Sequence, residues 1–311
     1  MGDDVTYAVL FPGQGSQFVG MCPDIRADRP RLFSEASDIL GWNLDEVIAQ
    51  GPEADLTATQ IAQPALYVTS FALWTEFRSA VDDGPVGFAG HSLGEYTALA
   101  AAGAISYEDG LRLVAERGKA MAQAAAQSDS GMAALLGVDA VQAEVVASER
   151  RAAGGALFVA NVNAPGQIVV AGGSSDIEWL VENARSLGIR RAVALKVAGG
   201  FHSPFMQSAV DRLQDALDEA SFEEPSGAVF ANATAAVTHD PRQTLAEQLT
   251  EPVRFSETLQ NMSAAGVDTF VHIGPGDVTA GLAKRSVPDA SVLTVSTLVE
   301  ARTIGEELSV V

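Results

Sequence analysis

The chain has 311 residues, 47% of them hydrophobic and 19% charged, one cysteine and a formal charge of −21. That length supports one large or two unequal domains that bury roughly 75% of the extended-chain surface, so disorder is excluded as the default state. The lone Cys22 excludes an intrachain disulfide and a cysteine-built zinc site, and the acidic balance excludes a nucleic-acid partner, because the chain has no basic run to neutralise phosphates.

Taken in chain order, Tyr7 to Phe11 is a continuous apolar run ending at Pro12-Gly13, which predicts a buried strand followed by a sharp loop. Helical spacing follows over Arg31 to Ile39 and Gln63 to Phe77. Val86 to Gly90 reads as a second short strand, succeeded by a Gly-flanked turn and an Ala/Leu helix from about Leu93 to Ala102. Strands alternating with helices predict an α/β fold with a mainly parallel sheet. The pattern then changes. Gly131 to Val138 reads as a strand, Ala140 to Ala153 as a helix, Ala156 to Asn161 and Gln167 to Ala171 as a hairpin, Asp176 to Leu187 as a helix and Arg191 to Val197 as a strand. This βαββαβ order is that of a ferredoxin-like unit. The expected organisation is a hydrolase-like α/β large domain, residues 1–128 and 199–311, carrying an inserted small domain at 129–198. The large domain resumes with a helix over Pro204 to Ala220 and contains a later apolar strand, Thr269 to Ile273. The most apolar region, 156–173, is broken by Asn161, Asn163, Pro165 and Gln167, well short of the roughly 20 apolar residues of a membrane span. With no basic-then-apolar leader at the N-terminus, a cytoplasmic protein without a membrane partner is expected.

Gly90-His91-Ser92-Leu93-Gly94 is a GxSxG pentapeptide between a predicted strand and a predicted helix, the context that lifts a serine oxygen out of a sheet toward helix N–H groups. A serine nucleophile needs a base, and four histidines are available. His91 adjoins Ser92, so its side chain is expected to leave in another direction. His239 sits in a polar turn, and His272 lies near a strand end where a structural role fits. His202, in a Gly-rich loop just before a helix, has the best position. Arg117 and Arg112 are five apart in one predicted helix and face different sides. Arg117 is either an inward guanidinium that grips a planar carboxylate or one half of a surface ion pair with Glu116 or Glu108.

Six segments carry a resemblance in register over nearly the whole chain: Phe11-Pro12-Gly13-Gln14-Gly15-Ser16-Gln17, Gly90-His91-Ser92-Leu93-Gly94-Glu95-Tyr96, Arg117-Gly118, Asn161-Val162-Asn163 with Pro165-Gly166-Gln167, Phe201-His202-Ser203 and Gly274-Pro275-Gly276. Together they resemble the malonyl-CoA:acyl carrier protein transacylase family. The resemblance implies Ser92 as nucleophile, His202 as base, and the backbone carbonyl of Gln248 in place of a triad carboxylate. It implies an oxyanion hole from the backbone N–H groups of Gln14 and Leu93, the malonyl carboxylate on Arg117, and substrate contacts from Phe201, His91 and Asn163. Malonyl-CoA and acyl carrier protein are the implied partners, in fatty acid or polyketide synthesis, with no metal or redox cofactor. Two departures stand out. Cys22 occupies a slot where glycine is more usual, and Gly200 precedes Phe201 where many relatives have alanine, which is expected to loosen the loop holding His202.

Two other readings compete. A serine thioesterase or carboxylesterase shares the elbow and the histidine but admits water, and a carrier-protein docking module keeps the fold without the chemistry.

Overall fold

The computed structural model describes residues 5–309. Among them the strands are β1 (Tyr7–Phe11), β2 (Gly87–Gly90), β3 (Ser130–Leu136), β4 (Leu157–Ala164), β5 (Gln167–Gly173), β6 (Arg191–Ala194), β7 (Ala228–Val229), β8 (Thr269–Ile273) and β9 (Ser291–Val295). They form a five-stranded sheet of order β7-β2-β1-β8-β9 and a four-stranded sheet of order β4-β5-β3-β6.

Every pairing in the larger sheet is parallel. Its central strand β1 is buried throughout, and the two-residue period of a strand splits it between two cores. Tyr7, Val9 and Phe11 join one core, with Leu66, Leu73, Trp74 and Phe77 of the helix Thr59–Ala80. Ala8 and Leu10 join the other, with Phe255, Leu259 and Met262 of the helix Phe255–Ala264. A sheet covered on both faces favours apolar residues at consecutive positions, which is why β1 reads as an unbroken hydrophobic run.

The smaller sheet is antiparallel throughout, and its order is the one a βαββαβ chain adopts in the ferredoxin-like arrangement. Ala133, Leu135, Ile168 and Val170 pack under the helices Ala140–Ala152 and Ser174–Asn183, on residues such as Val146, Ala147 and Leu180. Met132, Val169 and Ala171, on the opposite face, join the core that contains β1. This sheet thereby seals its own helices on one side and leans on the larger sheet's core with the other.

Several boundaries differ from the sequence reading. The helix expected over Gln63 to Phe77 begins at Thr59, ahead of Pro64, because its first turn lies against the helix Tyr107–Ala126 at Gly118, where an added Cβ would come within 2.8 Å of the Gln60 Cα. The segment Pro204 to Ala220 opens as a 3₁₀ turn at Pro204–Met206 before the helix Gln207–Glu219. The strand expected to reach Val197 stops at Ala194, leaving Leu195 to Val197 as loop. Strand β9 was not foreseen: as an edge strand it is mostly half-exposed, so it lacks the apolar run that marks β1. Among the described residues no helix is long and apolar enough to cross a membrane.

Candidate active site

The loops that leave the carboxyl ends of β1 and β2 bring Gln14, His91, Ser92 and Leu93 to one cleft, on the side of an open parallel sheet where ligands usually bind. β2 delivers Gly90, the chain turns through His91 and Ser92, and the helix Gly94–Ala101 begins. Ser92 has a φ of 51°, a left-handed conformation that non-glycine residues rarely hold without surrounding support. The support is dense. A Cβ on Gly90 would lie 1.9 Å from the Gly94 carbonyl carbon, and one on Gly94 would lie 2.3 Å from the Phe11 oxygen, so both glycines are required for the turn to close on the end of β1. Asn232 brackets the same turn: its Oδ1 accepts from the Ser92 N–H at 2.6 Å and its Nδ2 donates to the Gly90 carbonyl at 2.7 Å.

His202 Nε2 lies 2.8 Å from Ser92 Oγ, and Nδ1 lies 2.7 Å from the Gln248 carbonyl. A carbonyl only accepts, so the proton is on Nδ1, and Nε2 carries the lone pair that accepts from the serine hydroxyl. Burial, reinforced by the Arg117 charge, pushes the imidazole down to about 3. His202 also has a positive φ, 54°. Gly200 does not loosen this loop as expected: its N–H donates to Ser130 Oγ at 3.0 Å, and the Ser203 hydroxyl donates back to its carbonyl.

Arg117 is 1% exposed although it carries a charge. Its Nη1 donates to Gln63 Oε1 at 2.7 Å, and its Nη2 donates to Gln248 Oε1 at 2.8 Å and Ser92 Oγ at 3.0 Å. The guanidinium carbon lies 5.4 Å from the Tyr96 ring centroid. Of the two readings left open for this arginine, the surface ion pair is not formed: Glu116 pairs with Lys119, and the solvent-facing Arg112 pairs with Asp109. Among the described ion pairs none includes Arg117, so a buried cation hydrogen-bonded only to neutral groups faces the serine, with the Glu95 carboxyl near enough to act on its charge. Burial lowers its pKa.

The remaining candidates converge on one cleft of about 260 Å³ lined by residues of the smaller sheet and by the loops that follow β1 and β2. Gln14 and Leu93 line it, and among the described residues neither backbone N–H donates to a protein acceptor. Phe201 forms part of the wall. The His91 ring turns from Ser92 to Asn163 on β4, with Nε2 2.7 Å from Oδ1, and burial lowers its pKa. His239 is exposed; His272 is fully buried between Thr279 Oγ1 and the Gly274 carbonyl. Cys22 has a φ of 46°, in the left-handed region that favours glycine, and burial pushes its thiol up to about 12.

A family model described as an acyl transferase domain matches residues 8–301. Over 309 residues the chain is 40% identical to the malonyl CoA-acyl carrier protein transacylase of Bacillus subtilis, covering 94% of this chain and 97% of that protein. The chain belongs to the malonyl-CoA:acyl carrier protein transacylase family. The solved transacylase of that name from Coxiella burnetii superposes with a TM-score of 0.93 at 32% identity, covering 98% of each chain. A malonyl-transacylase solved in complex with its type II polyketide acyl carrier protein superposes with a TM-score of 0.92 at 36% identity, covering 97% of this chain and 99% of that one.

Sequence reasoning missed four side chains of this transacylase-family site. Gln63 and the Gln248 amide hold Arg117, Asn232 holds the elbow, and Glu95 holds Asn232 and Gln248. Glu95 stood next to the quoted pentapeptide. Its acidic type inside an Ala/Leu helix was the available signal, because an ionisable residue with 0% exposure requires partners.

Proposed function

We propose that the protein transfers a malonyl group from malonyl-CoA to the phosphopantetheine thiol of an acyl carrier protein through a malonyl ester of Ser92. The buried Arg117, 3.0 Å from Ser92 Oγ and without a carboxylate partner among the described residues, carries this reading. His202 Nε2 takes the serine proton as Oγ attacks the thioester carbonyl. The Gln14 and Leu93 N–H groups receive the oxygen that becomes negative, and the proton passes from His202 to the departing CoA sulfur. The carrier thiol then attacks the ester, gives its proton to His202, and Ser92 leaves as the hydroxyl.

Arg117 serves selectivity twice. Its guanidinium pairs with the malonyl carboxylate, and this pairing offsets the Arg117 charge that adds to burial in depressing His202, so the base strengthens when the right substrate is bound. An acetyl group leaves the arginine unpaired and the base weak. The carrier-protein partner is supported by the complex of the similar polyketide transacylase. We also assign residues 1–128 and 199–311 to a catalytic body and 129–198 to an insert that walls one side of the cleft, a division supported by the two separate sheets and by Met132, Asn161, Asn163 and Val169 of the smaller one in the cleft lining.

Incubation with radiolabelled malonyl-CoA tests the reaction. A protein-bound label that moves to carrier protein is expected, whereas release of free malonate would establish a hydrolase, and absence of label a docking module. Phe201 in the cleft wall is expected to crowd an added α-methyl, at a cost of about 1–3 kcal/mol, or roughly 10- to 200-fold discrimination. Equal acylation rates with malonyl-CoA and methylmalonyl-CoA would remove Phe201 from that role.

Docking of an acidic carrier protein on a chain of charge −21 requires local attraction. Arg190, Arg191, Lys196, Lys284 and Arg285 are exposed and belong to none of the described ion pairs, and Lys196 lines the cleft. Reversing Arg190 and Arg191 to Glu is expected to raise the KM for carrier protein several-fold while leaving acylation by malonyl-CoA nearly unchanged. A double reversal that alters neither step would place docking elsewhere.

A further inference from the structure

Behind the serine turn lies a carboxylate that the transfer mechanism does not use. Glu95, in the first turn of the helix Gly94–Ala101, has 0% exposure. One of its oxygens, Oε2, accepts the Asn232 N–H at 2.9 Å and the Gln248 Nε2 at 2.6 Å. The other, Oε1, is buried and has no partner among the described residues. An acid with half its acceptors unsatisfied is poor material for stability, since a buried ionisable group must be fully paired to repay its desolvation. Its two bonds, however, end on the two residues that shape the site. Asn232 clamps both sides of the Ser92 turn, through the Ser92 N–H and the Gly90 carbonyl. Gln248 supplies the carbonyl on His202 and the amide oxygen on Arg117.

The direction of the Gln248 amide matters. A primary amide has nearly the same shape when flipped, but a flip would turn its NH₂ toward the donors of Arg117. Acceptors at the nitrogen end prevent that, and these are Glu95 Oε2 and, at 3.1 Å, the Ser92 carbonyl. A chain of oriented bonds therefore runs from Glu95 through Gln248 to Arg117 and on to Ser92 Oγ.

We propose that Glu95 is a positioning residue: by accepting from Asn232 and Gln248 with a single oxygen, it fixes the turn that carries Ser92 and the amide that aims Arg117 at the substrate carboxylate. The inference rests on the carboxylate-binding reading of Arg117 given above. It predicts that hydrogen-bond acceptance, rather than negative charge, is what the site requires. The Oε1 of a glutamine can take both bonds, leaving its nitrogen at the vacant Oε1 position.

The test compares unchanged protein with Glu95→Gln, Glu95→Ala and the volume-matched Glu95→Met. The acylation burst with malonyl-CoA and with acetyl-CoA, and the melting temperature, are measured for each. Glu95→Gln is expected to stay within about threefold of the unchanged burst rate. Glu95→Ala is expected to lose about 10- to 100-fold with malonyl-CoA, the range for orphaned buried donors, and less with acetyl-CoA, so that the malonyl preference shrinks. Glu95→Met decides in the same way should the alanine variant not fold. The proposal is overturned if the folded apolar variants keep both rate and preference, or if Glu95→Gln is as impaired as they are, and its Arg117 half is overturned if they lose both substrates in equal proportion. Unchanged protein that shows no malonyl preference would instead defeat the Arg117 reading, and the burst rates of the variants would still decide whether Glu95 positions Ser92.

Discussion

Ser92→Ala is expected to take up no malonyl group from malonyl-CoA, with no adduct by intact-protein mass spectrometry and no transfer to carrier protein, while remaining folded. The chemistry loses its only attacking atom: Oγ is the point where the His202 Nε2 and Arg117 Nη2 bonds meet, at 2.8 and 3.0 Å, and alanine offers nothing in its place. The fold loses little, because the turn is held by the Ser92 backbone N–H on Asn232 and by the close approaches at Gly90 and Gly94, none of which uses the hydroxyl. A malonyl adduct of full mass on this variant would remove Ser92 from the mechanism. A large fall in melting temperature would show instead that the hydroxyl is structural.

His202→Ala is expected to slow both half-reactions on the order of 10³-fold or more, the scale set by removing a positioned general base. His91, the nearest other imidazole, cannot substitute, because its Nε2 is engaged by Asn163. The pH dependence carries a signature of the same residue. Only the neutral imidazole accepts the serine proton, and in the free enzyme its pKa is pushed down to about 3. As pH falls from 8 to 5 the base therefore stays neutral, whereas an imidazole at the ordinary value near 6.5 would retain only about 3% in the neutral form at pH 5. Accordingly kcat/KM for malonyl-CoA, which reports the free enzyme, is expected to stay flat over this range in the unchanged protein. The kcat profile should fall at higher pH than kcat/KM, since the bound carboxylate cancels the Arg117 charge and lets the imidazole rise. A kcat/KM profile with an apparent pKa near 6.5 would contradict the buried geometry, and near-normal turnover of the alanine variant would move the base to a water molecule.

Local pattern carried the elements whose environment is uniform along the chain. Strands β1 and β8 occupy the residues expected of them, because a strand covered on both faces is predominantly apolar at consecutive positions, and the polar His272 within β8 is buried with hydrogen-bond partners. The βαββαβ order was legible for a related reason: each of its elements has one buried face, and the period of that face is written in the residues. Short helices such as Glu53–Thr57 and the half-exposed edge strand β9 left no such trace, since few of their side chains are buried.

The sequence by itself determined the residue types and their order: the GxSxG turn, four histidines, an arginine in a helix with an apolar face, and a charge balance that leaves no basic run. It could rank His202 above the other histidines by position, and it could not decide between a surface and an inward Arg117. The tertiary structure puts His202 beside Ser92 and turns Arg117 inward, linking Ser92, Arg117, His202 and Gln248 by hydrogen bonds from four separate stretches of chain. It alone produced the set of Gln63, Glu95 and Asn232 behind them. The physical reason is that burial makes polar groups find partners wherever the fold supplies them, so a buried polar network depends on contacts between residues distant in sequence, and no local period encodes it.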